Sequence, residues 1–519
     1  MPLTPLLAAA AIAVFIATPA TGAAPAAKPP ASAVAIKLFP LSPMGMAGPT
    51  DSCSTTACKQ LLTMITNAKE TIDFAVYGIR GQSAIMEALT EAKARGVVMR
   101  GVVDKDDEDK TYYADTGELE KRIGTIKTDH LHDAAAARLE KPYDPATDRC
   151  ARPVGFLGPL QCVGYDLGET CLVASLASKE ELEYDGDIMH DKFFVVDHRY
   201  VWTGSANLSD SDITGYNANV VVWMDSPGIA AQYTRELDQM YEAGHFHENK
   251  ITYAEEPVMV GDTRVTAWFP PAGDPVGALR RQIQSAQSSI DISIFYFTHK
   301  QIAGDVIAAH QRGVKVRVIV DATSAQNGYT KHELLRAAGV PVKVENWGGK
   351  MHAKSACIDR KVVFAGSMNW TSAGYRSNDE NYLRIESPEL SEQWEKWFDG
   401  LWSDVPDKWL QGRPVPESRD SGTACTDKSD NDFDGKKDAE DDSCSANPPV
   451  PPDLPPYRIV PKTDGHDLIK GNISSEGKRT YHVPTGEYYA GVEIDPAAGE
   501  AFFCSEDDAK AAGFKRSYK

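Results

Sequence analysis

An internal repeat limits what this chain can fold into more than any other feature. Thr71 to Asp104 reads TIDFAVYGIRGQSAIMEALTEAKARGVVMRGVVD, and Ser289 to Asp321 reads SIDISIFYFTHKQIAGDVIAAHQRGVKVRVIVD. Each copy is an apolar strand, an amphipathic helix, an R-G-V turn and a second apolar strand. In the first copy Ile85, Ala88, Leu89 and Ala92 recur at helical spacing, and Val97 to Val103 is a β-branched run suited to a strand buried on both faces. Gly96 and Gly313 stand where a helix end needs positive φ. The unit is βαβ, which makes the fold class α/β: two similar lobes with mixed or parallel sheets.

A second matching pair follows each unit. MHDKFFVVDHRYVWTGSANLS begins at Met189 and MHAKSACIDRKVVFAGSMNWTS at Met351. Asp73 and Asp291 are 218 residues apart, whereas His190 and His352 are 162 apart, so the first copy carries an insertion of 56 residues. We expect it at about 106–187, where it holds Cys150, Cys162 and Cys171. These landmarks predict a first lobe over 36–250, a second over 258–412, a Pro/Asp-rich linker over 413–464 and a small accessory domain over 466–519.

The N-terminal residues point to export. Leu6 to Ile16 is an apolar run too short to span a bilayer, and small residues near Ala23 and Ala24 suit cleavage, so 1–24 reads as a signal peptide. The expected location is secreted, periplasmic or cell-surface. The nine cysteines agree with an oxidising compartment. Cys53 with Cys58 and Cys425 with Cys444 lie close together in polar sequence, whereas Cys357 sits in an apolar strand and reads as a buried free thiol. With 54 basic and 74 acidic residues the net charge is -20, so the total charge advertises neither nucleic acid nor anionic lipid.

The chemistry sits in the paired H-x-K-x4-D segments. On a strand His190 and Lys192 leave the same face, and the returning strand brings Gly204, Ser205 and Asn207 beside them. His352, Lys354, Asp359, Gly366, Ser367 and Asn369 repeat the pattern, with 17 residues from His to Asn in both copies. Two ammoniums and two amides suit the non-bridging oxygens of a phosphodiester. Two imidazoles can divide nucleophilic attack and proton transfer at neutral pH. No carboxylate cluster accompanies these segments, so the scheme requires no metal cofactor.

HDKFFVVD and HAKSACID, each followed by G-S-x-N, resemble the twin motifs of the phospholipase D superfamily over residues from about 55 to 400. The resemblance implies two lobes meeting at one shared site, a phosphohistidine intermediate and metal-independent catalysis. It implies a catalytic set of His190, Lys192, Asp197 and Asn207 with His352, Lys354, Asp359 and Asn369. Ser205 and Ser367 join Lys192 and Lys354 as substrate-binding groups. His190 is then the nucleophile and His352 the acid/base, although the spacing itself is symmetric. Glu380 takes the place of the carboxylate that orients a catalytic histidine, and its first-copy counterpart is Asn219, an amide.

The leading substrate expectation is a phospholipid headgroup ester at a membrane surface. A nuclease is the alternative, and a non-catalytic binding protein a third; no protein partner is expected. Gly471 to Ser517 resembles a small module appended to secreted bacterial nucleases, which favours the alternative. Asp430, Asp432, Asp434, Asp438 and Asp441 match the spacing of a calcium-binding loop, set against a plain acidic spacer; any such calcium is expected to be structural and remote from the histidines. Asp129-His130-Leu131-His132-Asp133 has the residue types of a metal cluster but reads more simply as a polar loop.

Overall fold

The structure, a computed structural model, describes residues 35–133, 160–161, 172–173, 187–326, 330–445 and most of 469–517. The expected leader, Cys150, Cys162, Cys171 and Cys504 lie outside the described residues.

In the first lobe the strands are β1 (Ile36–Leu41), β2 (Thr71–Val76), β3 (Val98–Val103) and β4 (Ile126–Thr128). The short pair β5 (Leu160–Gln161) and β6 (Leu172–Val173) forms its own two-stranded sheet. Then come β7 (Lys192–Val196), β8 (Tyr200–Gly204) and β9 (Asn219–Asp225). The second lobe carries β10 (Val258–Val260), β11 (Thr263–Trp268), β12 (Ser289–Ile294), β13 (Lys315–Val320), β14 (Val342–Val344), β15 (Lys354–Ile358), β16 (Val362–Gly366) and β17 (Tyr382–Glu386).

The two sheets share one topology. The first runs β1-β9-β8-β7-β2-β3-β4, and the second β11-β17-β16-β15-β12-β13-β14 with β10 added at its edge. In both, the βαβ strands pair in parallel, β2 with β3 and β12 with β13, while the strand that follows the histidine, β7 or β15, lies antiparallel to the first of them. Gly96 and Gly313 have φ of 90° and 92°, as their helix ends require.

The repeat is longer than the sequence suggests. The helix Thr116–Ile123 and β4 correspond to the helix His332–Ala337 and β14, so residues 106–128 belong to the shared core rather than to the insertion. The extra length falls after Thr128: His190 follows β4 by 62 residues, whereas His352 follows β14 by 8. In the sequence the short amphipathic helix Thr116–Ile123 is hidden by the charged KDDEDK run that opens the stretch.

Each lobe closes with a serine-capped helix that has proline in its first turn, Pro227–Tyr241 after Ser226 and Pro388–Asp404 after Ser387. These helices and both sheets contribute to one apolar cluster, with Val220, Val222 and Tyr233 from the first lobe and Val363, Leu383 and Trp394 from the second. The lobes are thereby welded through a common core. Beyond them, β18 (Ile469–Ile473), β19 (Arg479–His482), β20 (Ala501–Phe503) and β21 (Lys515–Arg516) form a separate four-stranded sheet.

Residues 413–445 are not a spacer. The Cys425–Cys444 bridge closes them into a strap packed on the core, with Glu417, Asn431 and Asp441 buried. Arg413 donates to the Ala325 carbonyl at 2.6 Å and Asn431 Nδ2 to that of Gly348 at 2.6 Å. Composition misled here because these polar groups satisfy one another and the core's loop carbonyls instead of water. Cys53 pairs with Cys58, and Cys357 is buried and free.

Candidate active site

His190 and His352 stand just ahead of β7 and β15, where each chain segment leaves its own sheet and bonds to the other lobe. His190 N donates to the Asp379 carbonyl at 2.8 Å, and Asp379 N returns to Ile188 at 3.0 Å. His352 N donates to the Ala218 carbonyl at 2.9 Å, and Ala218 N to that of Lys350 at 2.8 Å. These reciprocal bonds bring the two imidazoles onto one cavity of about 860 Å3, which Asn207 and Asn369 also line.

The side chains cross the lobes in the same way. His190 Nδ1 lies 2.8 Å from Glu380 Oε2, and Ser367 Oγ donates to that oxygen at 2.5 Å. His352 Nδ1 lies 3.2 Å from Asn219 Oδ1, as the sequence offset predicts, but also 3.1 Å from Asp212 Oδ1. Asp212 was not expected. It restores in the first copy the carboxylate that Asn219 lacks, and it is held by the amides of Asn207 at 2.6 Å, Asn217 at 2.9 Å and Asn219 at 2.8 Å. With Nδ1 engaged on both rings, each histidine presents Nε2 to the cavity, the tautomer being assigned from these partners.

Lys192 and Lys354 are fully buried, and each ammonium donates to the carbonyl of its own histidine, at 2.7 and 2.6 Å. They lie beneath Tyr77 and Phe295, whose rings stand edge-on to His190 and His352. Burial drives their pKa values down, Lys192 to about 8 and Lys354, beside the charge of Lys192, to about 7. Burial also lowers His190 to about 4, against the opposing pull of Glu380, and lowers His352 against that of Asp212. Burial alone would raise Asp212, but the His352 charge and the His352, Asn217 and Asn219 hydrogen bonds outweigh it and hold its carboxyl far below the usual range.

Four expected site residues lie elsewhere. Asp197 and Asp359 follow β7 and β15, a strand length from the histidines, in three-residue turns whose first two residues have positive φ. Asp197 accepts the backbone N–H groups of Lys69, Glu70 and Thr71, and Asp359 those of Gln287, Ser288 and Ser289. They splice loops and do not touch the cavity. Ser205 and Ser367 are wholly buried behind Asn219 and Glu380, so they position those groups and do not line the cavity. Gly204 and Gly366 are required beside them, because a Cβ at either would meet the next strand's carbonyl at 2.3 or 2.1 Å.

Sequence pattern did not mark the cationic wall or most of the strap residues in the cavity. Arg80 and Lys350 line it, as do Lys428, Asn431, Phe433 and Lys437 of the strap. Tyr77, Phe295 and Tyr296 face it, whereas Phe297 and Trp370 are buried in the second lobe's core. Among the calcium candidates, Asp430, Asp432 and Asp434 converge, and Asp432 also meets Asp441 and the unanticipated Glu417. Asp438 joins neither group and accepts from Lys428 N at 3.1 Å. These carboxylates are not remote from the histidines, since Asp430 lines the same cavity.

A family model described as "Cardiolipin synthase, PLD-like domain" matches residues 166–241 and 279–402, each range holding one histidine segment. The mouse (Mus musculus) mitochondrial cardiolipin hydrolase is 35% identical over 136 residues, 26% of this chain and 62% of that protein. The Xenopus laevis protein of the same name is 32% identical over 164 residues, 32% of this chain and 78% of its own length. The chain therefore spans less than two thirds of the mouse relative and more than two thirds of the frog one. Among solved structures, the phospholipase D family member Nuc from Salmonella typhimurium aligns with a TM-score of 0.27 and 26% identity, covering 28% of this chain and 97% of that one.

Proposed function

The chain belongs to the phospholipase D superfamily, and from that membership we propose that it hydrolyses phosphodiesters through a phosphohistidine intermediate. One observation carries the proposal: two imidazoles on a single cavity, each with Nδ1 on a group of the opposite lobe and Nε2 turned inward. His190 Nε2 attacks phosphorus as the bond to the leaving alcohol breaks, and His352 gives that alcohol its proton. His352 then takes a proton from water, whose oxygen displaces His190 and releases the phosphomonoester. Each ammonium uses one of its three protons on a histidine carbonyl, which leaves donors for the non-bridging oxygens beside the Asn207 and Asn369 amides.

The leading substrate is a phospholipid headgroup ester. Arg80, Lys350, Lys428 and Lys437 supply cationic walls for phosphate, the tyrosines supply apolar ones, and the relatives named cardiolipin hydrolase act in support. Tyr112 and Phe433 favour the second reading, a nuclease: they line the cavity yet stay 58% and 57% exposed, as rings that stack on bases do. The Cys53–Cys58 and Cys425–Cys444 bridges support work in an oxidising compartment. Among the described residues no helix is long and apolar enough to cross a membrane. The test is turnover of cardiolipin, phosphatidylcholine and single-stranded DNA side by side, with acid-quenched trapping of labelled phosphate on His190. Labelling by phospholipid and not DNA supports the leading reading; the reverse supports a nuclease, and the absence of any His190 adduct overturns the mechanism.

A further inference from the structure

The residues around His132 read as a polar loop in the sequence, yet the fold brings His247 onto them. His132, Asp133 and His247 each offer a ligand atom within 4.8 Å of the others. His247 is wholly buried, and neither of its ring nitrogens makes an aligned hydrogen bond. The spacings are telling. His247 Nε2 lies 3.3 Å from Asp133 Oδ1 and 3.5 Å from Asp129 Oδ2, and His132 Nδ1 lies 3.4 Å from Asp133 Oδ1. Charge-assisted hydrogen bonds close to about 2.7–2.9 Å. Atoms bound to one zinc ion at about 2.0–2.1 Å in a tetrahedron stand about 3.4 Å from each other.

The outward nitrogens complete the pattern. His247 Nδ1 lies 3.1 Å from Asp379 Oδ2, and His132 Nε2 lies 3.6 Å from Glu248 Oε1. Metal-bound histidines commonly turn their second nitrogen to a carboxylate, which fixes the ring and raises its basicity. Charge points the same way: Asp104, Asp129, Asp133 and Asp379 are all buried around the cluster, with Lys250 as a neighbouring ammonium. A divalent cation would neutralise that excess.

We propose that His132, His247 and Asp133, with Asp129 beside them, form a structural site for a zinc-class divalent cation. It sits behind the catalytic histidine, and none of its ligands lines the cavity. Asp379, which receives His247 N at 2.9 Å, holds His190 N through its own carbonyl and immediately precedes Glu380. The cation would thus brace the segment that fixes His190 while taking no part in the reaction.

The test is zinc content of the full-length protein by mass spectrometry, after loading with zinc chloride and removing the excess. About one zinc per chain is expected in the wild type, and less than about a tenth in His132→Ala, chosen because that ring is partly exposed. Asp432→Ala, in the strap's acidic cluster, should retain zinc as the wild type does. Cobalt substitution of the wild type gives an answer even if the variant fails to fold: intense visible bands of a tetrahedral ion support the site. A wild type that keeps no zinc, a His132→Ala variant that keeps as much as the wild type, or a weak octahedral cobalt spectrum overturns it.

Discussion

Asp212 of the first lobe lies 3.1 Å from the His352 imidazole of the second, mirroring the 2.8 Å pairing of Glu380 with His190. The site therefore has two carboxylate–imidazole brackets, each closed across the lobe interface. Asp212→Asn keeps the shape but loses the charge that stabilises imidazolium, so kcat should fall by about 10²- to 10⁴-fold with little change in KM. Steady-state kinetics on the preferred phosphodiester would check this. A variant within twofold of wild type would mean that Asn219 alone suffices.

The pH profile follows from the same burial. His190 must be neutral to attack, and its pKa of about 4 meets that requirement above pH 4. His352 must be protonated to serve the leaving group, and its pKa is pushed below the ordinary 6.5 by burial. Activity should rise through pH 4 and fall before neutrality, with further loss as Lys354 discharges near 7 and Lys192 near 8. A bell in kcat/KM centred no higher than about pH 5.3, the midpoint of 4 and 6.5, is expected; an optimum above pH 8 would contradict the assignment of roles.

Much of this was legible because it is periodic. The βαβ units repeat the same spacing, and Asn219 and Glu380 each stand two residues before the strand partner of Gly204 or Gly366, after a one-residue insertion in the first copy. That offset pointed correctly to Asn219 and stopped there. Asp212 has no equivalent in the second copy; it reaches His352 from a loop whose path depends on Asn217 and on the opposite lobe. Asp197 and Asp359 show the converse error. They belong to the motif's spacing, but a strand of five residues carries them away from the histidines, and backbone N–H groups take up their charge. The strap was hidden because its polar residues have the composition of a spacer, and their partners are distant loop carbonyls.

Those turn aspartates separate stability from catalysis. Asp197→Ala and Asp359→Ala each strip an acceptor from three backbone N–H groups, a loss of about 1–2 kcal/mol by comparison with helix caps. The melting temperature should drop by a few degrees, about 2–4 °C, while kcat/KM stays within about twofold. Calorimetry beside kinetics on one preparation would decide it. A loss of kcat above a hundredfold with an unchanged melting temperature would return these residues to the catalytic set.

The strap gives the opposite signature. Lys428, Asn431, Phe433 and Lys437 line the cavity, yet the strap supplies neither histidine nor either bracket. Its closure depends on the Cys425–Cys444 bridge, which spans 19 residues and removes about 3 kcal/mol of chain entropy from the open state. Replacing both cysteines by serine should loosen the wall that meets the substrate and leave the reacting groups in place. KM is expected to rise by about tenfold, the equivalent of one lost charge-assisted contact, with kcat changed by less than about threefold. Cardiolipin and DNA assays of the double variant would also show which substrate class the strap favours. If KM for both is unchanged, the strap is a bystander and substrate choice rests on Arg80, Lys350 and the tyrosines.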